Sequence, residues 1–210
     1  MSMEIELKLA IDPAAIATLR NHPLLGEYAR QAPVDETLET IYYDTPDFAL
    51  QRQQAALRVR RTADGWVQTL KAGGSVDNGL HRRHEWESAV STATLDLPAL
   101  IAMLDDHPQW QAMLASPELG ARLVPVFATR FRRTAWLLHL PGQAVVECAL
   151  DEGEVRCGAL QAPICEVELE LKAGQPDCLA QLATQLQAIV PMRASNVSKA
   201  ERGYRLAAQV

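Results

Sequence analysis

Nowhere in the 210-residue chain is there a run approaching the about 18 consecutive apolar residues that a membrane-spanning helix needs. A secretory signal would open on basic residues and then an apolar stretch, but Glu4, Glu6 and Lys8 stand there instead. A cytoplasmic protein with no membrane partner is expected. An excess of basic residues is missing too: the net charge of -6 argues against a general nucleic-acid binder, which relies on positive charge to displace counterions from phosphates. A local basic pocket stays open. Cys148, Cys157, Cys165 and Cys178 lie far apart, form no Cys-x-x-Cys pair and have no histidine at zinc spacing, so they read as reduced structural thiols. The five histidines, 22, 81, 84, 107 and 139, show no metal-type spacing either. No Gly-x-x-x-x-Gly-Lys-Ser/Thr loop and no Gly-x-Ser-x-Gly elbow occurs, which disfavours a P-loop nucleotide site and an α/β-hydrolase. With no internal repeat or linker tract, residues 1–210 are expected to form one domain.

What is present is a period of two. With 48% apolar residues the chain can bury a sizeable core, and residues 3–11 put Ile5, Leu7 and Leu9 on one strand face and Glu4, Glu6 and Lys8 on the other. The alternation returns over residues 38–43, 56–61, 67–71, 80–87, 124–140, 144–151 and 164–171. Ala63-Asp64-Gly65 reads as a hairpin turn, because Asp and Gly tolerate the positive φ of tight turns, so neighbouring strands are expected to run antiparallel. Gly73-Gly74-Ser75 reads as a mobile loop. Helices are expected from Asp12 to about Arg20, over 95–114 and 176–190, and from Ser198 to about Ala208. Ser198 with Glu201 resembles a capping box, which places Lys199 in the first turn of the last helix. The four tryptophans, 66, 86, 110 and 136, read as packing residues. The sum is an α+β chain, predominantly antiparallel β.

The polar strand faces are unusual. Glu4, Glu6 and Lys8 make one ladder of full charges at alternate positions; Arg58 with Arg60, Glu85 with Glu87, and Glu166 with Glu168 and Glu170 make three more. Same-face neighbours lie about 6.5–7 Å apart along a strand, and like charges at that distance repel unless water or opposite charges face them. A solvated sheet face would also be polar, but it more often mixes Thr, Ser, Lys and Gln. Four ladders of both signs point instead to a closed sheet with a polar, ligand-filled interior. Such a chamber suits a polyanion carried with a divalent metal, since Arg and Lys hold phosphate oxygens while carboxylates take Mg²⁺ or Mn²⁺. Beyond Arg58 and Arg60, candidate phosphate ligands are Lys8, Lys71, Arg83, Arg133 and Lys199. In Thr129-Arg130-Phe131-Arg132-Arg133 basic residues occupy both faces, and alternation does not choose the inward one.

The ordered series resembles the CYTH family of triphosphate tunnel enzymes: Glu4-x-Glu6-x-Lys8, then Tyr42-Tyr43-Asp44-Thr45-Pro46, Leu57-Arg58-Val59-Arg60, Thr69-Leu70-Lys71, Glu85-Trp86-Glu87, the basic strand around Arg133, Glu147 to Asp151, Glu166-Val167-Glu168 and Ser198-Lys199. The segments 79–83 and 165–171 look most like the bacterial inorganic triphosphatase branch, some members of which carry a further helical CHAD domain. The resemblance implies an eight-stranded closed antiparallel barrel with flanking helices. It also implies hydrolysis of inorganic triphosphate to diphosphate and phosphate. By matching position, Glu4, Glu6, Glu166 and Glu168 would bind Mg²⁺ or Mn²⁺, joined by Glu85, Glu87 and Asp151. Lys8, Arg58, Arg60, Lys71, Lys199 and Arg133, with Arg130 as the alternative on that strand, would hold the triphosphate beside the candidate Arg83, with Glu4, Glu6 and Lys8 closest to the chemistry. Thiamine triphosphatase, adenylate cyclase and a noncatalytic polyphosphate-binding module are the alternatives. Exposed barrel walls would suit a homodimer.

Overall fold

The alternating segments become long antiparallel strands that close on one another. The structure, a computed structural model, describes residues 2–210. Its strands are β1 (Ser2–Ile11), β2 (Val34–Asp44), β3 (Ala55–Thr62), β4 (Gly65–Asp77), β5 (Leu80–Val90), β6 (Val124–His139), β7 (Val145–Cys157), β8 (Leu160–Ala173) and the short β9 (Met192–Ala194). Neighbours run in the order β5-β4-β3-β2-β6-β7-β8-β1, and β1 pairs with β5 to close an eight-stranded barrel. β9 adds to β1 through Leu9 opposite Ala194. Every pairing is antiparallel.

The helices are α1 (Ile16–Arg20), α2 (Pro23–Tyr28), α3 (Ala49–Arg52), α4 (Leu97–Ile101), α5 (Pro108–Leu114), α6 (Pro117–Arg122), α7 (Asp177–Gln187) and α8 (Lys199–Ala207). α8 begins as its cap requires: Ser198 Oγ accepts from the Glu201 amide at 3.1 Å. Among the described residues no helix is long and apolar enough to cross a membrane.

Two of the three apolar clusters lie outside the barrel wall. Leu7 and Leu9 pack with Leu179, Leu182 and Leu186 of α7, and Leu57, Leu70 and Trp86 pack with Leu100, Leu104 and Leu114 from the α4–α5 region. Tyr42, Phe127, Phe131 and Tyr204 form a third cluster on the same strand face as the charges, and it seats α8 against the barrel interior. Burying both sets of apolar side chains between wall and helices leaves the other strand face for the charges.

Two expectations change. The segment 95–114 is not one helix, because Pro108 has no amide hydrogen to continue the ladder, and α4 and α5 stand apart. Gly73-Gly74-Ser75 is not a loop but part of β4, where the register shifts between Ala72 and Ser75 as a β-bulge. Gly74 permits it with φ of 90°, and a Cβ there would lie 1.8 Å from the Arg82 carbonyl oxygen. Helices α2, α3 and α6 and strand β9 are additions, all of three to six residues.

Candidate active site

The register places the inward side chains in rows. On β1, Glu4 lies opposite Arg83 and Glu6 opposite His81 of β5; on the other side Glu6 faces Glu170 and Lys8 faces Glu168 of β8. Glu147 of β7 then faces Glu170, and Asp151 lies between Glu166 of β8 and Arg133 of β6. On the far wall Lys71 is opposite Glu85, Thr69 opposite Glu87, and Tyr42 opposite Arg58. These side chains enclose a cavity of about 240 Å³ lined by eight basic and seven acidic residues. Near-neutrality is therefore built in pair by pair.

Most cations have carboxylate partners. Lys71 Nζ lies 2.6 Å from Glu4 and 3.3 Å from Glu85, and Arg58 Nη2 lies 3.3 Å from Glu85 and 3.7 Å from Glu87. Lys8 pairs with Glu168 and, at 3.0 Å, with Glu6. Arg133 forks onto Asp151 at 2.7 and 2.8 Å and reaches Glu168 at 2.5 Å. Burial alone would push the Glu168 carboxyl up, but Lys199, Lys8 and Arg133 override it and hold it well below the usual range.

Two cations are left over. Among the described residues Arg60 and Arg83 have no carboxylate within 4.0 Å. Arg60 donates from Nε to Thr40 Oγ1 at 3.1 Å and lies 5.9 Å over the Phe131 ring. Burial, with Arg58 and Arg133 nearby, lowers its pKa from 12.5 to about 10. In Arg58 the buried Nε has no hydrogen-bond partner. The chamber is short of anion where these guanidinia converge.

Elsewhere carboxylates crowd on shared cations: Glu6 shares Lys8 with Glu168, and Glu147 has Arg133 at 3.7 Å and Lys172 at 3.9 Å, both also held by other carboxylates. Glu6, Glu170 and Glu147 stand directly across from one another on three adjacent strands, where facing side chains are about 4.5–5.5 Å apart. Burial raises the Glu170 pKa, Lys172 at 2.7 Å opposes the rise, and Glu4 and Glu147 reinforce it. A set of hard oxygen donors crowded in this way is the chemistry a divalent metal neutralises.

The structure brings Glu4, Glu6, Lys8, Arg58, Arg60, Lys71, Arg83, Glu85, Glu87, Arg133, Glu168 and Lys199 to this cavity. It does not bring Asp151 and Glu166, which are buried beneath it. Asp151, Glu166 and Glu168 do cluster as metal ligands might, yet Lys199 Nζ lies 2.6, 2.5 and 2.8 Å from them, at the position an ion would take. Arg202 holds the other Glu166 oxygen at 3.0 Å. The inward arginine of β6 is Arg133; Arg130 and Arg132 point outward to Glu39 and Asp35.

Sequence reasoning left out Glu147, Lys172, Tyr42 and Ser198, and used Glu170 only as a ladder member. Glu170 and Lys172 share the parity of Glu168, and Glu147 that of Asp151, so the signal was there; Tyr42 could not be told from Tyr43 by type alone. Tyr42 is buried, and although burial alone would raise its pKa, Arg58, Arg60 and Lys199 lower it.

The CYTH domain family profile matches residues 2–204. The chain belongs to that family. It is 34% identical over 207 residues to an inorganic triphosphatase of Haemophilus influenzae, covering 98% of this chain and 55% of the relative. The chain thus spans about half the length of that curated relative. Among solved structures, a Hippeastrum adenylyl cyclase described as having a dominant triphosphatase activity superposes with a TM-score of 0.65 at 19% identity, covering 97% of this chain and 96% of that one. The PH1819 protein of Pyrococcus horikoshii gives 0.58 at 20% identity, covering 97% and 99%. At these identities the likeness is one of fold, and the eight-stranded tunnel barrel is shared.

Proposed function

We propose that this CYTH chain hydrolyses inorganic triphosphate to diphosphate and phosphate with the help of Mg²⁺ or Mn²⁺. The observation that carries the reading is a single chamber that is short of anion at Arg60, Arg83 and the unpaired Nε of Arg58, and short of cation at Glu6, Glu170 and Glu147, whose partners Lys8 and Arg133 are shared with Glu168. A metal–triphosphate complex corrects both deficits at once. Kinship to the Haemophilus influenzae enzyme supports the choice of substrate.

Arg58, Arg60, Arg83 and Lys71 would grip phosphate oxygens, with Lys199 and Arg133 reaching from the floor. Phosphoryl transfer gains mainly from positioning and from neutralising charge on equatorial and leaving oxygens, which a wall of fixed guanidinia supplies without reorganisation. Glu6, Glu170 and Glu147, with Glu4 and Glu168 beside them, would hold the metal, whose contribution would be Lewis-acid neutralisation of the phosphate charge. Asp151 and Glu166 then act as the seat of Lys199 and Arg133, not as ligands. Glu85 and Glu87 aim Arg58. Lys8, pinned between Glu6 and Glu168, keeps the two acidic strands together beside the reacting phosphate.

A second reading comes from a neighbouring vestibule of about 540 Å³, which shares Arg83 and Ser198 with the chamber and adds Gln51, Gln54 and Asn196. Amides beside a triphosphate site would also suit an organic triphosphate. Phosphate release from tripolyphosphate, thiamine triphosphate and ATP, each with Mg²⁺, Mn²⁺ and Ca²⁺, separates the readings. Tripolyphosphate is expected to be turned over fastest, and E4Q and E6Q each to lose about 10²–10³-fold. No metal-dependent release from any triphosphate would overturn the proposal, and full activity of E4Q/E6Q would overturn the metal assignment.

A further inference from the structure

We infer that His81 is a positioning residue that keeps Arg83 available to the substrate. This rests on the triphosphate reading above. The ring is buried on β5, 1% exposed, and its Nε2 lies 3.2 Å from the Ser195 carbonyl oxygen. A carbonyl can only accept and a guanidinium can only donate, so with these two partners Nε2 carries the hydrogen and Nδ1 presents its lone pair. That lone pair faces Arg83 Nη2 at 3.5 Å.

The placement matters because of what Arg83 would otherwise meet. Its cross-strand neighbour is Glu4, and facing side chains of opposite charge on a sheet attract. Glu4 instead takes both bonds from Lys71. Arg83 stays with a neutral acceptor at the long end of the hydrogen-bond range, a contact that a phosphate oxygen easily outcompetes. It stands where chamber and vestibule join, lining both. The β4 bulge faces this same stretch, with Gly74 packed on the Arg82 carbonyl, so the strand has no freedom to carry Arg83 elsewhere.

His81 also reaches the other wall. Ser195 N donates to Lys8 O at 2.9 Å, Lys8 N donates to Gly79 O at 2.8 Å, and Gly79 N donates to Asn196 Oδ1 at 2.7 Å. Through Ser195 the imidazole is thus part of the clasp that leads, three residues later, into Ser198 and Lys199. Its role is to hold a phosphate-binding cation off the metal-binding carboxylates, and no proton transfer is asked of it.

H81F removes the lone pair while keeping the bulk, and H81N restores an acceptor for Arg83 and a donor for Ser195. Tripolyphosphate hydrolysis is expected to show KM raised about tenfold in H81F with kcat within about twofold, and H81N within about threefold of the wild type. Adding H81F to R83M is expected to change KM no further, since the histidine acts through the arginine. A role in folding alone would lower thermal stability and leave KM unchanged in H81F, and that result overturns the proposal. Side-chain Nε–H signals of Arg83 in the substrate-free protein give a reading independent of turnover. They are expected to shift in H81F as the guanidinium moves onto Glu4. An unchanged Arg83 signal overturns the proposal whether or not any triphosphate is hydrolysed.

Discussion

Removing Arg60 should make the protein more stable and less active at the same time. A pKa near 10 against an ordinary 12.5 means that the folded chain disfavours this charge. At 1.36 kcal/mol per pH unit the difference is about 3 kcal/mol. The sign follows from protonation: below pH 10 the guanidinium is charged in both folded and unfolded chains, so the penalty is fully present at pH 7. It is relieved only as pH rises between 10 and 12.5. R60M deletes the charge and keeps most of the stem, at the loss of the hydrogen bond to Thr40, about 1 kcal/mol. A net gain of about 1–2 kcal/mol should raise Tm by roughly 2–8 °C for a chain of this size, read by calorimetry without ligand. Tripolyphosphate at about a hundred times its Kd should add about 2.7 kcal/mol to the wild type and much less to R60M. Triphosphatase activity should fall by about 10²-fold or more. If R60M melts well below the wild type, the guanidinium is held by the fold and not by its absent ligand, and the assignment of Arg60 as an anion-seeking group fails.

Asp151 is the opposite case: D151N leaves Lys199 and Arg133 charged and buried without their seat. It should cost about 3–5 kcal/mol, since breaking a buried pair from one side strands the other charge, and should lower Tm by roughly 6–20 °C. His22 is buried, and its Nδ1 accepts from Leu24 N to cap α2. Burial lowers its pKa from 6.5, so the unfolded chain takes the proton first and stability falls as pH drops below 6.5. H22N keeps a capping oxygen, and urea midpoints between pH 5 and 7 should show a flatter pH dependence. G74A must push against the Arg82 carbonyl at positive φ and should cost on the order of 2–4 kcal/mol in urea unfolding. G73A, whose Cβ meets only side-chain atoms at 3.8 Å, should cost about 1–2 kcal/mol.

The eight barrel strands were legible because charge and hydrophobicity alternate along each of them, and a charged residue such as Arg58 between Leu57 and Val59 fixes parity locally. Parity does not fix depth. Asp151 and Glu168 both face inward, but only Glu168 reaches the cavity, because position along the barrel axis depends on how β6, β7 and β8 are staggered. The same stagger sets Arg133 between Asp151 and Glu36, which no window of sequence reveals. Short helices escaped for a local reason: α3 has four residues and exists because Asp44 accepts from Leu50 N and Gln51 N. The glycine pair misled because Gly-Gly marks a loop and a bulge alike.

The Tyr42-Tyr43-Asp44-Thr45-Pro46 stretch shows how the inside and outside of this barrel depend on each other. Tyr42 enters the chamber, Tyr43 points out and donates to Ala93 O at 2.7 Å, and Asp44 ends the strand in full burial. Asp44 Oδ2 accepts from Tyr204 OH at 2.9 Å and from Gln51 N at 3.0 Å, while Oδ1 accepts from Leu50 N, so both oxygens cap α3. Tyr204 lies on α8, the helix that opens with Lys199, and packs edge-on against Phe48 and Phe127. The position of the Lys199 ammonium among Asp151, Glu166 and Glu168 is therefore set from both ends of α8, by the Ser198 cap at its start and the Asp44 latch on Tyr204 near its end. A chamber of mutually repelling charges cannot order itself, because each of its members has several partners of nearly equal appeal. The apolar clusters and buried hydrogen bonds behind the wall choose among them, and they leave Arg60 and Arg83 unsatisfied while every lysine in the chamber is matched.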